Sequence, residues 1–153
     1  QHPDYILKQL QDLKLGMTSG GKEGRMDPVM SAMAMPLSEQ DMKDLAAYFS
    51  SLNMSEGSTP KDVVEVGKML FKAGDAERGI PSCAACHGPR GNGSSLAKFP
   101  KISFQHPEYI KAQLEKFRDG TRSNDLNGMM GDIAKKLTDK DIEVLSQYLG
   151  GLH

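Results

Sequence analysis

Cys83-Ala84-Ala85-Cys86-His87 is the stretch on which the reading of this chain turns. Two thiols three positions apart share one face of a helical turn, and an imidazole follows directly. C-x-x-C-H is the attachment pattern of c-type haem: both sulfurs reach the vinyl groups along one porphyrin edge, and the next residue is directed beneath the ring as proximal iron ligand. Three other uses compete. A thioredoxin-like pair wants a βαβ setting, which the pattern lacks. A structural zinc site wants four ligands, and His2, His106 and His153 stand at no zinc-finger spacing. A plain disulfide would leave His87 a coincidence. Covalent haem on Cys83 and Cys86, with His87 on iron, is the expectation.

Outward from that motif the chain repeats itself. Gln1-His2-Pro3-Asp4-Tyr5-Ile6 returns as Gln105-His106-Pro107-Glu108-Tyr109-Ile110, Gln9-Leu10 as Gln113-Leu114 and Gly16 as Gly120, all at an offset of 104. Further on the offset is 100, pairing Met30 with Met130, Leu37-Ser38 with Leu137-Thr138, Asp41 with Asp141, Leu45 with Leu145 and Tyr48 with Tyr148. So many matches with one small length change mark a duplication. Ser, Gly, Thr and Pro accumulate over 53–60, which reads as a linker. The expected organisation is the C-terminal part of a first domain at 1–52, the linker at 53–60, and a complete domain at 61–153. Residues 61–104, which hold both Cys, have no counterpart ahead of Gln1.

The local pattern is all helix and loop, with no useful strand alternation. Thr59-Pro60-Lys61-Asp62 reads as a helix start, and that helix runs to about Ala73 before Gly74. Pro107 opens another, with Tyr109, Ile110, Leu114 and Phe117 at helical spacing and Gly120 behind it. Thr138 caps the last, where Ile142, Leu145, Tyr148 and Leu149 form one stripe, and Ser38 caps its partner in the first repeat. The Gly-rich stretch 88–95 reads as loop.

Iron in an electron carrier needs a sixth ligand, and a His/Met set raises its potential. Met130 lies 43 residues beyond His87, with Met129 as its rival. The repeat favours Met130, because it and Met30 each precede by seven residues the Leu ahead of a capped helix. Met30 is then the matching ligand for a second haem in the first repeat. Met26, Met33 and Met35 crowd the same stretch and read as packing, with a thioether Cu(I) site as the alternative.

Composition bounds the rest. The chain has 153 residues, 38% of them hydrophobic and 25% charged, which excludes disorder by composition. Its apolar runs are too short to cross a bilayer, although peripheral contact with a membrane stays open. Lys plus Arg is 19 and Asp plus Glu is 20, a balance that argues against nucleic acid as a partner. Residues 1–58 hold 5 basic and 8 acidic side chains and 59–153 hold 14 and 12, so the chain is mildly dipolar. No apolar leader follows Gln1-His2-Pro3-Asp4. Either a leader has been removed or the chain starts inside its gene product.

C-x-x-C-H, the later Phe99-Pro100-Lys101-Ile102, Met130 and a closing amphipathic helix resemble class I cytochrome c. The duplicated Gln-His-Pro blocks and both Met-to-helix segments resemble, more specifically, the dihaem cytochrome c4 family. The resemblance covers essentially the whole chain. It implies an all-α class I cytochrome c fold in two tandem domains, the first incomplete. It also implies that Gly67 and Phe71 pack against Leu145 and Tyr148, and that the Pro100 carbonyl accepts from His87. Family members carry a C-x-x-C-H in each domain, and the first repeat here has none. Met30 and its downstream register are nonetheless in place, so a shortened chain is favoured over natural loss of the first haem. The first half is not expected to fold alone.

The function implied is electron transfer in the bacterial periplasm, between a quinol-oxidising complex and a terminal oxidase, through haem c. The competing class is a dihaem peroxidase, in which one iron gives up its Met. Against it, Asp132 is the only carboxylate close to Met130, and no distal acid–base residue is evident. A Cu(I)-handling protein built on the Met cluster is the third class.

Overall fold

Eight α-helices run through the described residues, 1–152, of the computed structural model: α1 (Pro3–Thr18), α2 (Pro28–Ala34), α3 (Glu39–Ser51), α4 (Val64–Ala73), α5 (Cys83–His87), α6 (Pro107–Asp119), α7 (Met129–Ala134) and α8 (Asp139–Gly150). A 3₁₀ turn, Leu126–Gly128, leads into α7. The two repeats are visible as α1–α2–α3 and α6–α7–α8. Both α1 and α6 open on a proline in the first turn, where its missing N–H costs nothing. Both α3 and α8 open on a full capping box, Ser38 with Asp41 and Thr138 with Asp141. In each repeat the long first helix carries the other two: α2 and α3 pack on α1, and α7 and α8 pack on α6.

What differs is α4. It packs against α8, and no helix holds the same place against α3 among the described residues. The main core therefore lies in the second half, where Leu70 and Phe71 of α4 meet Ile110, Ile142, Leu145, Tyr148 and Leu149, with Ile80, Leu137 and Leu152 from the loops. Gly67 lets the crossing close. The Cβ of any side chain there would stand 2.5 Å from Tyr148 Cβ. The Phe71 and Tyr148 rings sit 5.8 Å apart beside it, as the resemblance implies.

The start of α4 is a correction. The helix begins at Val64 rather than near Pro60, and Val63 holds the N-cap place. Thr59 is occupied elsewhere: its hydroxyl donates to the Tyr148 carbonyl at 3.0 Å. A side chain at Gly57 would run into the Gly150 carbonyl. The 53–60 stretch is irregular, as its composition suggests, but its end is laid against the C-terminus of α8 rather than swinging free.

The two repeats meet through a buried polar network that mirrors the duplication. The Arg25 N–H donates to the Asp12 carbonyl and the Arg122 N–H to the Lys116 carbonyl, at 2.8 and 2.9 Å. Asp12 and Lys116 are 104 apart, so these arginines are structural equivalents. Arg25 donates to Gln9 and Gln113, each at 2.8 Å. Arg122 donates to Gln113 at 2.8 Å, Tyr5 at 3.0 Å and Gln9 at 3.1 Å. Asn124 donates to Asp12 at 2.6 Å, and Lys116 pairs with Asp27 at 3.2 Å in the equivalent place. Buried guanidinium groups satisfied in fixed geometry make the relative placement of the halves specific, because any slip would strand them.

Candidate functional site

The short helix α5 lies between two loops closed on themselves by isolated bridges, Asp75 with Ile80 and Ser94 with Phe99. Cys83 is half-buried and packs against the main core, while Cys86 is exposed. Neither is in a disulfide. Burial pushes the Cys83 thiol up to about 11, the opposite of the low-pKa thiolate that a redox pair needs. A sheltered thiol raised in this way is poorly suited to thiol–disulfide exchange.

His87 is 7% exposed. Its Nδ1 lies 2.9 Å from the Pro100 carbonyl. A carbonyl only accepts, so Nδ1 carries the proton and Nε2 presents its lone pair. Burial also lowers the affinity of His87 for a second proton, although the Pro100 bond opposes this. The imidazole is held neutral, in the tautomer and orientation that a metal-ligating histidine requires. The residues fit the haem implied by the motif: two unpaired thiols on one helical turn, then an imidazole with one nitrogen engaged and the other open.

The loop after α5 is shaped to bring Pro100 there. The Gly93 N–H donates to the His87 carbonyl at 2.7 Å, and Gly93 has φ +70°. A Cβ at that position would strike the Pro100 carbonyl group. Glycine is needed for both its φ and its close approach. The Phe99 ring lies 6.3 Å from that of His87.

The structure thus brings Cys83, Cys86, His87 and Pro100 into one cluster. Met130 lies half-buried in the first turn of α7, with Met129 beside it and equally half-buried. Met30 occupies the matching part of α2, whose N-terminus Asp27 caps by accepting from the Val29 and Met30 N–H groups. The offset of 100 holds through the buried pair Ala34 and Ala134. Met26, Met30, Met33 and Met35 are all exposed. Among the described residues no group of three or more His, Cys, Asp or Glu is placed to hold a metal ion.

Sequence reasoning missed Arg25 and Arg122. Nine positions separate Gly16 from Arg25 but only two separate Gly120 from Arg122. An alignment allowing that shorter loop pairs the two arginines at an offset of 97.

The cytochrome c family model matches residues 64–153. Cytochrome c4 of Thiocapsa roseopersicina is 45% identical over 153 residues, covering 99% of this chain and 76% of that one. A crystal structure of reduced recombinant cytochrome c4 from Pseudomonas stutzeri superposes with a TM-score of 0.95 at 44% identity, covering 99% of this chain and 82% of that one. The chain belongs to the cytochrome c4 family. A further relative, the thiosulfate dehydrogenase electron acceptor of Stutzerimonas stutzeri (strain A1501), is 35% identical over 156 residues, covering 97% of this chain and 66% of that one. Membership makes this chain an electron-transfer protein with covalently bound haem c, and the all-helical class I cytochrome c fold is its scaffold. No helix among the described residues is long and apolar enough to cross a membrane.

Proposed function

We propose that the chain is a periplasmic electron carrier in which Cys83 and Cys86 fix haem c and His87 and Met130 supply its two axial ligands. Residues 61–153 would form the complete domain, and 1–52 the corresponding part of a second one joined through 53–60. In that second domain Met30 is the axial ligand, giving two haems in the intact protein. Bound haem supplies a one-electron ferric–ferrous couple. Cys83 and Cys86 would hold it through two thioethers, His87 would face its iron as a neutral, aimed imidazole, and Met130 of α7 would supply the second side-chain ligand. With side chains as both iron ligands, electrons would pass without substrate ligation.

One observation carries this reading: the buried His87, its Nδ1–H fixed on the Pro100 carbonyl and its Nε2 left for a metal. The register that pairs Met30 with Met130 extends it to the distal side. Donor and acceptor are a quinol-oxidising complex and a terminal oxidase. The relative described as an electron acceptor of thiosulfate dehydrogenase supports a wider donor range that includes sulfur-oxidising dehydrogenases.

Met130→Ala tests the ligand set. The expected product is a five-coordinate or water-ligated haem with a lower potential, while Met129→Ala keeps the parent spectrum. An unaltered Met130→Ala spectrum rejects the assignment. Haem per chain, measured beside intact mass, tests the second site: two haems with Met30 in place support it, and one haem on the full-length protein rejects it.

A further inference from the structure

The repeated Gln-His-Pro block takes no part in attaching haem or ligating iron, yet its first copy lies against the proximal side of the second half's site. Gln1 Nε2 donates to the Lys101 carbonyl at 2.9 Å, and the Lys101 N–H donates to Gln1 Oε1 at 2.9 Å. The same Gln1 oxygen accepts from the His2 N–H at 3.0 Å, which folds the side chain back over its own backbone. Two further contacts brace the crossing. His2 Nε2 donates to the Asn92 carbonyl at 2.6 Å, and the Ser95 hydroxyl donates to the Asp4 carboxylate at 2.6 Å. The start of α1 thus grips the loop that carries Pro100 at three points.

The Lys101 N–H and the Pro100 C=O belong to one peptide group. On one side that group accepts from His87 Nδ1–H; on the other it donates to Gln1. We propose that Gln1 is a positioning residue for His87: acting from the first repeat through the Pro100–Lys101 peptide, it sets how strongly the proximal imidazole is held and so tunes the potential of the haem on Cys83 and Cys86. The inference rests on His87 as proximal ligand.

The physics is that of a hydrogen-bonded chain. Accepting from an amide N–H polarises that amide and makes its carbonyl a better acceptor, by roughly 10–30% per bond. A better acceptor draws the Nδ1 proton outward, raises the basicity of Nε2 and favours the more positive, ferric state. Gln1 therefore lowers the potential, and its removal raises it. The bidentate pairing with both backbone groups of Lys101 fixes the direction of the peptide, so the effect does not average away. The second copy shares the fold-back alone: Gln105 Oε1 accepts from the His106 N–H at 3.0 Å.

The test compares Gln1→Ala with Ser95→Ala in the full haem-loaded protein. Ser95→Ala loosens the same crossing without touching the peptide and without changing charge. Three quantities are read: Lys101 amide hydrogen exchange, the hyperfine-shifted His87 ring signals, and the midpoint potential of the haem at Cys83 and Cys86. Gln1→Ala should speed Lys101 exchange, move the His87 Nδ1–H resonance and raise the potential. The redox equilibrium constant should change on the order of threefold, which is ~28 mV for a one-electron couple. Ser95→Ala should leave the potential and the resonance in place. Faster Lys101 exchange with an unmoved potential would overturn the proposal, as would equal shifts in both variants or Lys101 exchange that Gln1→Ala leaves unchanged. A His87 ring with no hyperfine-shifted signals in the parent protein would reject the proximal assignment and the tuning with it, whereas the Gln1–Lys101 contact is read separately by exchange.

Discussion

Helices α3 and α8 begin with the same capping box and reach a tyrosine at the same register, but their fates differ. Tyr48 is 60% exposed and Phe49 52%, whereas Tyr148 is 7% and Leu149 4% exposed. Each helix buries one face on the first helix of its own repeat, as Met42 and Ala46 do beside α1. The second face of α8 is covered by α4, with Gly67 and Phe71 set against Tyr148. That of α3 meets no such partner among the described residues. The lesson is that the stripe on a helix states what it can bury, while the neighbour decides whether it does.

The most direct way to break this contrast is to truncate the two tyrosines. Tyr148→Ala removes a ring from the packed core and should cost about 3–5 kcal/mol. Tyr48→Ala in this 153-residue chain should stay within about 0.5 kcal/mol, as expected of a surface position. Denaturant unfolding of the haem-loaded chain measures both. Equal losses would mean that the α3 face is covered in solution as the α8 face is here.

A second cut aims at the cover itself. Gly67→Ala places a Cβ against the Cβ and Cγ of Tyr148 at 2.5 and 2.7 Å. Neither atom is the far end of a flexible side chain, so the α4–α8 crossing must open. The expected loss is about 1–3 kcal/mol. Introduced together with Tyr148→Gly, which removes both atoms, it should cost less than alone. Simple additivity in that double mutant would show that the crossing does not depend on this contact.

The contrast also explains how far the sequence could be read. The haem motif, the capping boxes and the duplicated register are local signals, each settled by spacing over a few residues. Glycine at 67 became interpretable only once the resemblance supplied its partner across the chain. Thr59 misled because a Thr-Pro pair carries every local mark of a helix start. The tertiary bond to the Tyr148 carbonyl outweighs that local preference. Arg25 and Arg122 escaped notice because their pairing crosses a loop of different length in each repeat. Gln1 was visible as a repeated letter, but its target, the peptide behind His87, lies 100 residues away. No periodicity records such a contact.

The smallest expected difference lies at the starts of the same two helices and is read through pH. Asp41 and Asp141 both accept from the backbone N–H and hydroxyl of their caps, at 2.8 and 2.6 Å from Ser38 and at 2.8 and 2.7 Å from Thr138. Only Asp141 also faces a guanidinium, Arg78, which donates to its two oxygens at 2.6 and 3.2 Å while binding Asp75 through Nε. Those bonds, with the Thr138 cap, hold Asp141 down at about 2, whereas the Ser38 bonds lower Asp41 without such a partner. A carboxylate ionises in the unfolded chain near pH 3.9. The stabilisation from Asp141 is therefore fully present above that value and fades as pH falls toward about 2. Asp141→Asn should cost about 1 kcal/mol at pH 7, the usual worth of a capping side chain. It should also flatten the decline in stability between roughly pH 4 and 2. Asp41→Asn should flatten it less, because no arginine deepens that well. Unfolding at pH 7, 4 and 2.5 separates the two. If Asp41→Asn flattened the acid limb as much as Asp141→Asn, the loop that carries Arg78 would add nothing to a cap that both repeats already share.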